Sequence, residues 1–196
     1  MIAEAIRRGA LADYAERFTT LYETAGSSVS IRELPFLAQL NLRVDAGDTA
    51  VMGQVTDSLG FSLPLTPNTA SQAGDRRALW LGPDEWLIVG PDDQVTSLEQ
   101  ALRGGLAGAV GSVVDVSANR TVLEIRGSKG HDLLAHAVPI DLDSRAFGPG
   151  CCAQTLLAKA QVIIERRDEA PAFQLYIRSS FASYVADWLL DAARAL

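Results

Sequence analysis

The chain has 196 residues, of which 48% are apolar and 21% charged, and a formal charge of −7. These proportions fit a globular protein of one domain or two small ones. The negative balance argues against nucleic-acid binding, which needs clustered Lys and Arg to neutralise phosphate. The doublets Arg7-Arg8, Arg76-Arg77 and Arg166-Arg167 are isolated and read as solvated charge on loops or a helix face.

In chain order, Leu11, Tyr14, Phe18 and Leu21 recur at helical spacing, which predicts a short amphipathic helix. It either docks on its own domain or forms an arm that reaches a partner. Gly26-Ser27-Ser28 ends it, so residues 1–30 are set apart as an N-terminal helical arm. Leu37–Val44 alternates as a half-buried strand does, and Asp48 is placed to cap a helix running to about Leu59. Ala78–Leu81 and Trp86–Val89 flank Gly82-Pro83-Asp84-Glu85, a hairpin signal. Asp92 or Asp93 then caps a helix through Leu98 and Leu102 that Gly104-Gly105 stops.

After the small-residue linker Leu106–Gly111 the order repeats. Val122–Gly127 reads as a strand whose LEIRG echoes Leu40–Val44. Ser128 is placed to cap a helix carrying Leu133, Leu134 and Ala137. Two strands follow, Thr155–Glu165 and Phe173–Arg178. The last helix carries Phe181, Tyr184, Val185, Trp188, Leu189 and Ala192 on one stripe. Each unit has a sheet face that its two helices must cover, and pairing two units buries the remaining apolar surface. The expected fold is α+β, two tandem strand-helix-strand-strand-helix units in a ferredoxin-like pseudo-duplication. The units span 31–110 and 111–196, packed as one body.

The residues that bear chemistry are sparse. His131 and His136 stand five apart, so they do not share a helix face as a two-His metal site requires. Cys151 and Cys152 are neighbours and cannot staple distant segments. With no His or Lys beside them to lower a thiol pKa, they read as buried small hydrophobes in a reduced protein. Gly127-Ser128-Lys129-Gly130 lacks the spacing of a phosphate loop and reads as a structural turn. Asp84 and Glu85 read as solvated turn charge, while Trp80 and Trp86 beside them are core or interface anchors. No apolar run approaches the ~20 residues of a membrane span. The start MIAEAIRRGAL lacks the apolar stretch of a secretory signal, so a soluble, cytoplasmic protein is expected.

Four stretches carry a resemblance: Trp80–Val89 (WLGPDEWLIV), Asp115–Arg120 (DVSANR), Thr121–Gly127 (TVLEIRG) and Phe173–Ala192. Together they resemble the gamma-subunit family of heterotetrameric sarcosine oxidase, over nearly the whole chain after Val29. The order of elements opened by Asp115-Val116-Ser117 is also similar to the start of the glycine-cleavage T-protein. The resemblance implies one of four subunits of an enzyme that oxidises sarcosine to glycine with oxygen. Such an enzyme releases hydrogen peroxide and passes the one-carbon unit to tetrahydrofolate. It further implies alpha, beta and delta partners, with FAD, FMN, NAD and the folate site in alpha and beta and zinc in delta.

The same resemblance implies no catalytic, cofactor-binding or metal residue in this chain. T-proteins place an Asn-Asp pair after the first helix and a Gly-Gly-acid segment after the next strand. Here those places hold Ile140-Asp141-Leu142 and Lys159-Ala160-Gln161-Val162-Ile163. Only Asp141 keeps an acid, and a residual polar role for Asp115 stays open. The expected function is structural, with a free-standing folate-binding or aminomethyltransferase-like protein as the alternative.

Overall fold

The computed structural model describes residues 7–24, 28–106, 108–168 and 172–196. The elements are α1 (Ala15–Thr24), β1 (Ser30–Leu34), β2 (Ala38–Val44), α2 (Thr49–Leu59), β3 (Ala70–Ala73), β4 (Arg76–Gly82), β5 (Glu85–Gly90) and α3 (Val95–Leu106). They continue with β6 (Gly111–Asp115), β7 (Arg120–Arg126), α4 (Gly130–Ala135), β8 (Cys152–Leu157), β9 (Ala160–Asp168), β10 (Ala172–Arg178) and α5 (Ala182–Ala192). The α+β class expected from the sequence is the class found.

Two antiparallel sheets form, ordered β1-β7-β10-β9-β8 and β6-β2-β5-β4-β3. The chain is a duplication of one order, strand-strand-helix-strand-strand-strand-helix, and the first strand of each copy is exchanged. β1 pairs with β7 (Ile31 opposite Ile125), while β6 pairs with β2 (Leu42 opposite Val113). Each sheet thus takes its edge strand from the other side of residue 110. The strands β1, β3 and β6 are absent from the sequence reading, because they are only 4 or 5 residues long and too short for a periodicity to register.

The sheets lie face to face with helices outside. Phe18 and Leu21 of α1, Leu133 and Leu134 of α4, and Val185 and Leu189 of α5 pack on Leu123, Ile125, Phe173 and Leu175. The N-terminal helix is therefore docked, and Tyr14 and Arg17 bond Asp187 of α5 at 3.1 and 2.7 Å. The Gly26-Ser27 break lies outside the described residues. On the other side, Val51 and Val55 of α2 and Leu98 and Leu102 of α3 cover Leu40, Leu42, Trp86 and Ile88. Between the sheets Leu79, Leu87 and Val89 meet Val122, Ile163, Tyr176 and Cys152.

Several local expectations hold. Asp48 caps α2 by accepting from the amides of Ala50 and Val51, and β4 and β5 form the hairpin. Others change. The single strand Thr155–Glu165 is two strands, β8 and β9, turning at Ala158 with φ 50°; no Gly, Pro or Asn marks that turn. Ser128 does not cap α4, whose start has no side-chain cap. Gly104-Gly105 does not stop α3. A Cβ on Gly105 would meet Ser58 Oγ and the Gln54 carbonyl, so this glycine lets α2 and α3 approach.

Gly127 sets the strand exchange. Its φ is +113°, and a Cβ there would strike the Ser28 carbonyl just before β1. Gly127→Ala is expected to lose more than the about 1–3 kcal/mol of backbone strain alone, since β1 must also shift off β7. Urea unfolding measures the loss, and hydrogen exchange should show it concentrated in residues 30–34.

Candidate functional site in the layer between the sheets

Alternation along the inner strands delivers polar side chains to the sheet–sheet layer. On β10, Phe173, Leu175 and Ile177 turn to the helices, while Gln174 and Tyr176 turn inward. Arg77, on β4 of the opposite sheet, reaches across. Its Nε donates to Tyr176 Oη at 3.0 Å and lies 3.3 Å from Glu165 Oε2, and its Nη2 donates to Gln174 Oε1 at 2.6 Å. Tyr176 Oη donates to Glu165 Oε2 at 2.8 Å, and Arg167 donates to Glu165 Oε1 at 3.0 Å. Arg77, Glu165, Gln174 and Tyr176 are all buried.

Burial works against the Arg77 charge, but Tyr176 and Glu165 outweigh it and hold the guanidinium protonated. Burial and the Glu165 charge push the Tyr176 phenol up, so it stays a neutral donor. This arrangement is closed: the acid is neutralised by two arginines and the phenol cannot ionise. Chemically it serves to join two sheets.

Glu124, opposite Gln174 in the β7–β10 ladder, accepts from Arg32 Nη2 at 2.8 Å and Arg126 Nη2 at 3.1 Å. Burial raises its carboxyl, but the hydrogen bonds from Arg126 and Arg32 win and hold it below the ordinary 4.5. A depressed carboxylate contributes stability above its unfolded pKa and loses it as pH falls through the folded one. Glu124→Gln should therefore flatten the fall in stability below about pH 4.5, read from urea midpoints between about pH 5 and about pH 3.

The residues singled out in the sequence do not converge. Asp115 is exposed at the end of β6, and its Oδ1 accepts from Ser117 N at 2.9 Å and Ser117 Oγ at 2.5 Å. Asp141 is exposed and accepts from the Asp143 amide at 2.9 Å. Glu85 is not solvated turn charge; it accepts from Asn41 Nδ2 at 2.7 Å and Arg43 Nη2 at 2.5 Å. Trp86 is a core anchor, fully buried, with Nε1 donating to the Pro64 carbonyl at 2.8 Å, and Trp80 packs beside it half-buried. Cys152 is buried, donates to the Thr69 carbonyl at 3.3 Å, and has its thiol pushed up to about 12 by burial.

His131 Nδ1 lies 3.2 Å from Asp132 Oδ1, and His136 Nδ1 lies 2.7 Å from the Asp132 carbonyl. Among the described residues no three His, Cys, Asp or Glu gather as metal ligands, and no helix is long and apolar enough to cross a membrane. The doublets are not all solvated: Arg77 and Arg166 are buried on strands. The sequence signal for a polar inner layer is the period-two run Gln174, Tyr176, Arg178 inside the otherwise apolar β10, and it does not single out either arginine.

Two face-to-face antiparallel sheets with outer helices define a T-protein-like α+β body. The aminomethyltransferase T of the glycine cleavage system from Bartonella henselae superposes with a TM-score of 0.69 at 11% identity, over 97% of this chain and 58% of that one; this likeness is one of fold. Residues 43–195 match the model of the sarcosine oxidase, gamma subunit family, and the chain belongs to that family. It is 34% identical to the sarcosine oxidase subunit gamma of Corynebacterium sp. strain U-96, over 87% of this chain and 82% of that protein. It is 36% identical to the Arthrobacter subunit gamma, over 86% and 81%. A chain of the heterotetrameric sarcosine oxidase from Corynebacterium sp. U-96, solved with pyrrole 2-carboxylate, superposes with a TM-score of 0.87 at 31% identity, over 97% and 96%.

Proposed function

We propose that this chain is the non-catalytic gamma subunit of a cytoplasmic, heterotetrameric sarcosine oxidase, and that it works by packing on its partners. One observation carries the reading: the chain and a chain of a heterotetrameric enzyme superpose over nearly the whole length of both. The inner polar layer supports it, because Glu165 and Glu124 are each committed to two arginines and are not poised for proton transfer. In this reading the N-terminal helix and the two α+β units form one T-protein-like body. Alpha, beta and delta subunits hold FAD, FMN, NAD, tetrahydrofolate and zinc and carry out sarcosine demethylation, with hydrogen peroxide and methylene-tetrahydrofolate as products.

Co-expression of four genes, with and without this one, tests the role. The expected result is a four-chain particle by light scattering with sarcosine-dependent oxygen uptake, both lost when this chain is omitted. Normal assembly and turnover without it would overturn the proposal. The T-protein-like fold keeps one second reading, a free-standing folate-binding protein. Saturable binding of tetrahydrofolate by the isolated chain would favour that reading.

A further inference from the structure

The inner face of the β1-β7-β10-β9-β8 sheet is not fully covered by its partner sheet. Beyond Tyr176 and Ile163 it opens into a cavity of about 420 Å³ whose polar lining comes from Arg120, Arg178, Gln154, Thr155, Gln161 and Tyr176. Arg120 of β7 and Arg178 of β10 are directly opposite each other in the antiparallel ladder. By strand alternation both side chains stand on the same face as Val122 and Tyr176. Like charges placed directly opposite repel.

Every other cation in the inner layer has its acid: Arg77 has Glu165, Arg167 has Glu165, and Arg32 and Arg126 share Glu124. Among the described residues, neither Arg120 nor Arg178 has a carboxylate within ion-pair distance. Glu85, whose charge reaches Arg120, is bonded to Asn41 and Arg43. Burial and the neighbouring Arg178 both disfavour the Arg120 charge. Arg178 is exposed at the end of β10 and Arg120 beside it is half-buried, so in a chain with a net charge of −7 two guanidiniums share one open cleft with no acid between them.

We propose that Arg120 and Arg178 form a binding site for an organic carboxylate. Two facing guanidiniums supply the forked donors that a carboxylate accepts, and Gln161, on the same face as Ile163, adds a neutral donor beside them. Leu156 and Ile163, which also line the cavity, suit the carbon body of an organic acid better than the hydration shell of inorganic phosphate. The acid is either a free small molecule or a carboxylate presented by another subunit.

Titration of the isolated full chain with butyrate at constant ionic strength tests the site, with butyramide as the neutral isostere and inorganic phosphate as the contrast. Butyrate is expected to shift the Arg Nε–H resonances of Arg120 and Arg178, and butyramide is not. Arg178→Gln should weaken this binding at least about tenfold, the scale of a charge-assisted pair, while Arg194→Gln at the exposed C-terminal end leaves it unchanged. With no anion present, Arg178→Gln should raise the melting midpoint by about 1–3 °C through relief of the repulsion. A midpoint that falls would give Arg178 a packing role and overturn the site. So would shifts that are absent, that persist in the variant, or that phosphate reproduces more strongly.

The two sources separate in the assembled complex, an arm that rests on the gamma-subunit reading. A free acid gives the same shifts there. A partner's carboxylate blocks them and makes assembly weaker with Arg178→Gln. The isolated-chain titration stands whether or not the chain assembles.

Discussion

Arg77→Ala should lower the unfolding free energy by about 3–5 kcal/mol, the scale for breaking a buried ion pair by removing one partner. The loss is large because one guanidinium serves Tyr176, Gln174 and Glu165 across the gap between sheets. Its removal takes a donor from three buried polar groups, which keep only their bonds to one another and to Arg167 in a place water does not fill cheaply. Arg77→Lys should not restore the loss, since a single ammonium cannot reproduce donation from both Nε and Nη2. The double variant Arg77→Met, Glu165→Gln should recover only part of it, because it leaves Arg167 without its carboxylate. Urea unfolding followed by circular dichroism reads all three. A single-variant loss below about 1 kcal/mol, the worth of one ordinary hydrogen bond, would mean the network does not hold the sheets together.

Trp86→Ala should cost a similar amount, about 3–5 kcal/mol, for a different reason. Trp86 is fully buried within the core under α2 and α3, so its loss leaves a cavity and an unpaired Pro64 carbonyl. Trp86→Phe keeps most of the ring volume and should cost about 1–3 kcal/mol, the hydrogen bond and its stranded acceptor. Trp80 is half-buried, and Trp80→Ala should cost less than half as much as Trp86→Ala. Denaturation midpoints of the three variants decide between the two roles open to these tryptophans in the sequence. Equal losses at 80 and 86 would contradict the division between a core anchor and a half-buried neighbour.

Much of the architecture was legible because it rests on local rules. The Asp48 cap and the Gly82–Glu85 hairpin depend on residues within a few positions of one another, whereas the stripe expected for α5 is met only in part: Val185 and Leu189 are buried, with Ala182, Ala186 and Leu190, while Phe181 and Tyr184 are exposed. The repeat of LxLR at Leu40 and LEIR at Leu123 made the duplication visible. The strand exchange was not legible, because β1 and β6 gain their identity only from the strands they pair with, roughly ninety and roughly seventy residues away. The β8–β9 turn was missed because Ala158 and Lys159 carry no turn signal, and its left-handed residue is imposed by the pairing on either side.

The candidate site followed the same division. The apolar character of Ile163 and the isolated position of Asp141 were plain in the sequence, and the structure places them in the inner layer and on an exposed loop. The burial of Arg77 was not, since a doublet reads the same on a loop and on a strand.

By itself the sequence determined the α+β class, the presence of a duplicated pattern and the family, but not the order of elements within each copy. Hydrophobic period, caps and motif strings are properties of neighbours along the chain. Only the tertiary structure decided which strands exchange sheets, that Arg77 bridges to Tyr176 and Glu165, and that Arg120 and Arg178 face each other with no acid between them. Those are properties of register, and register is set by two segments at once.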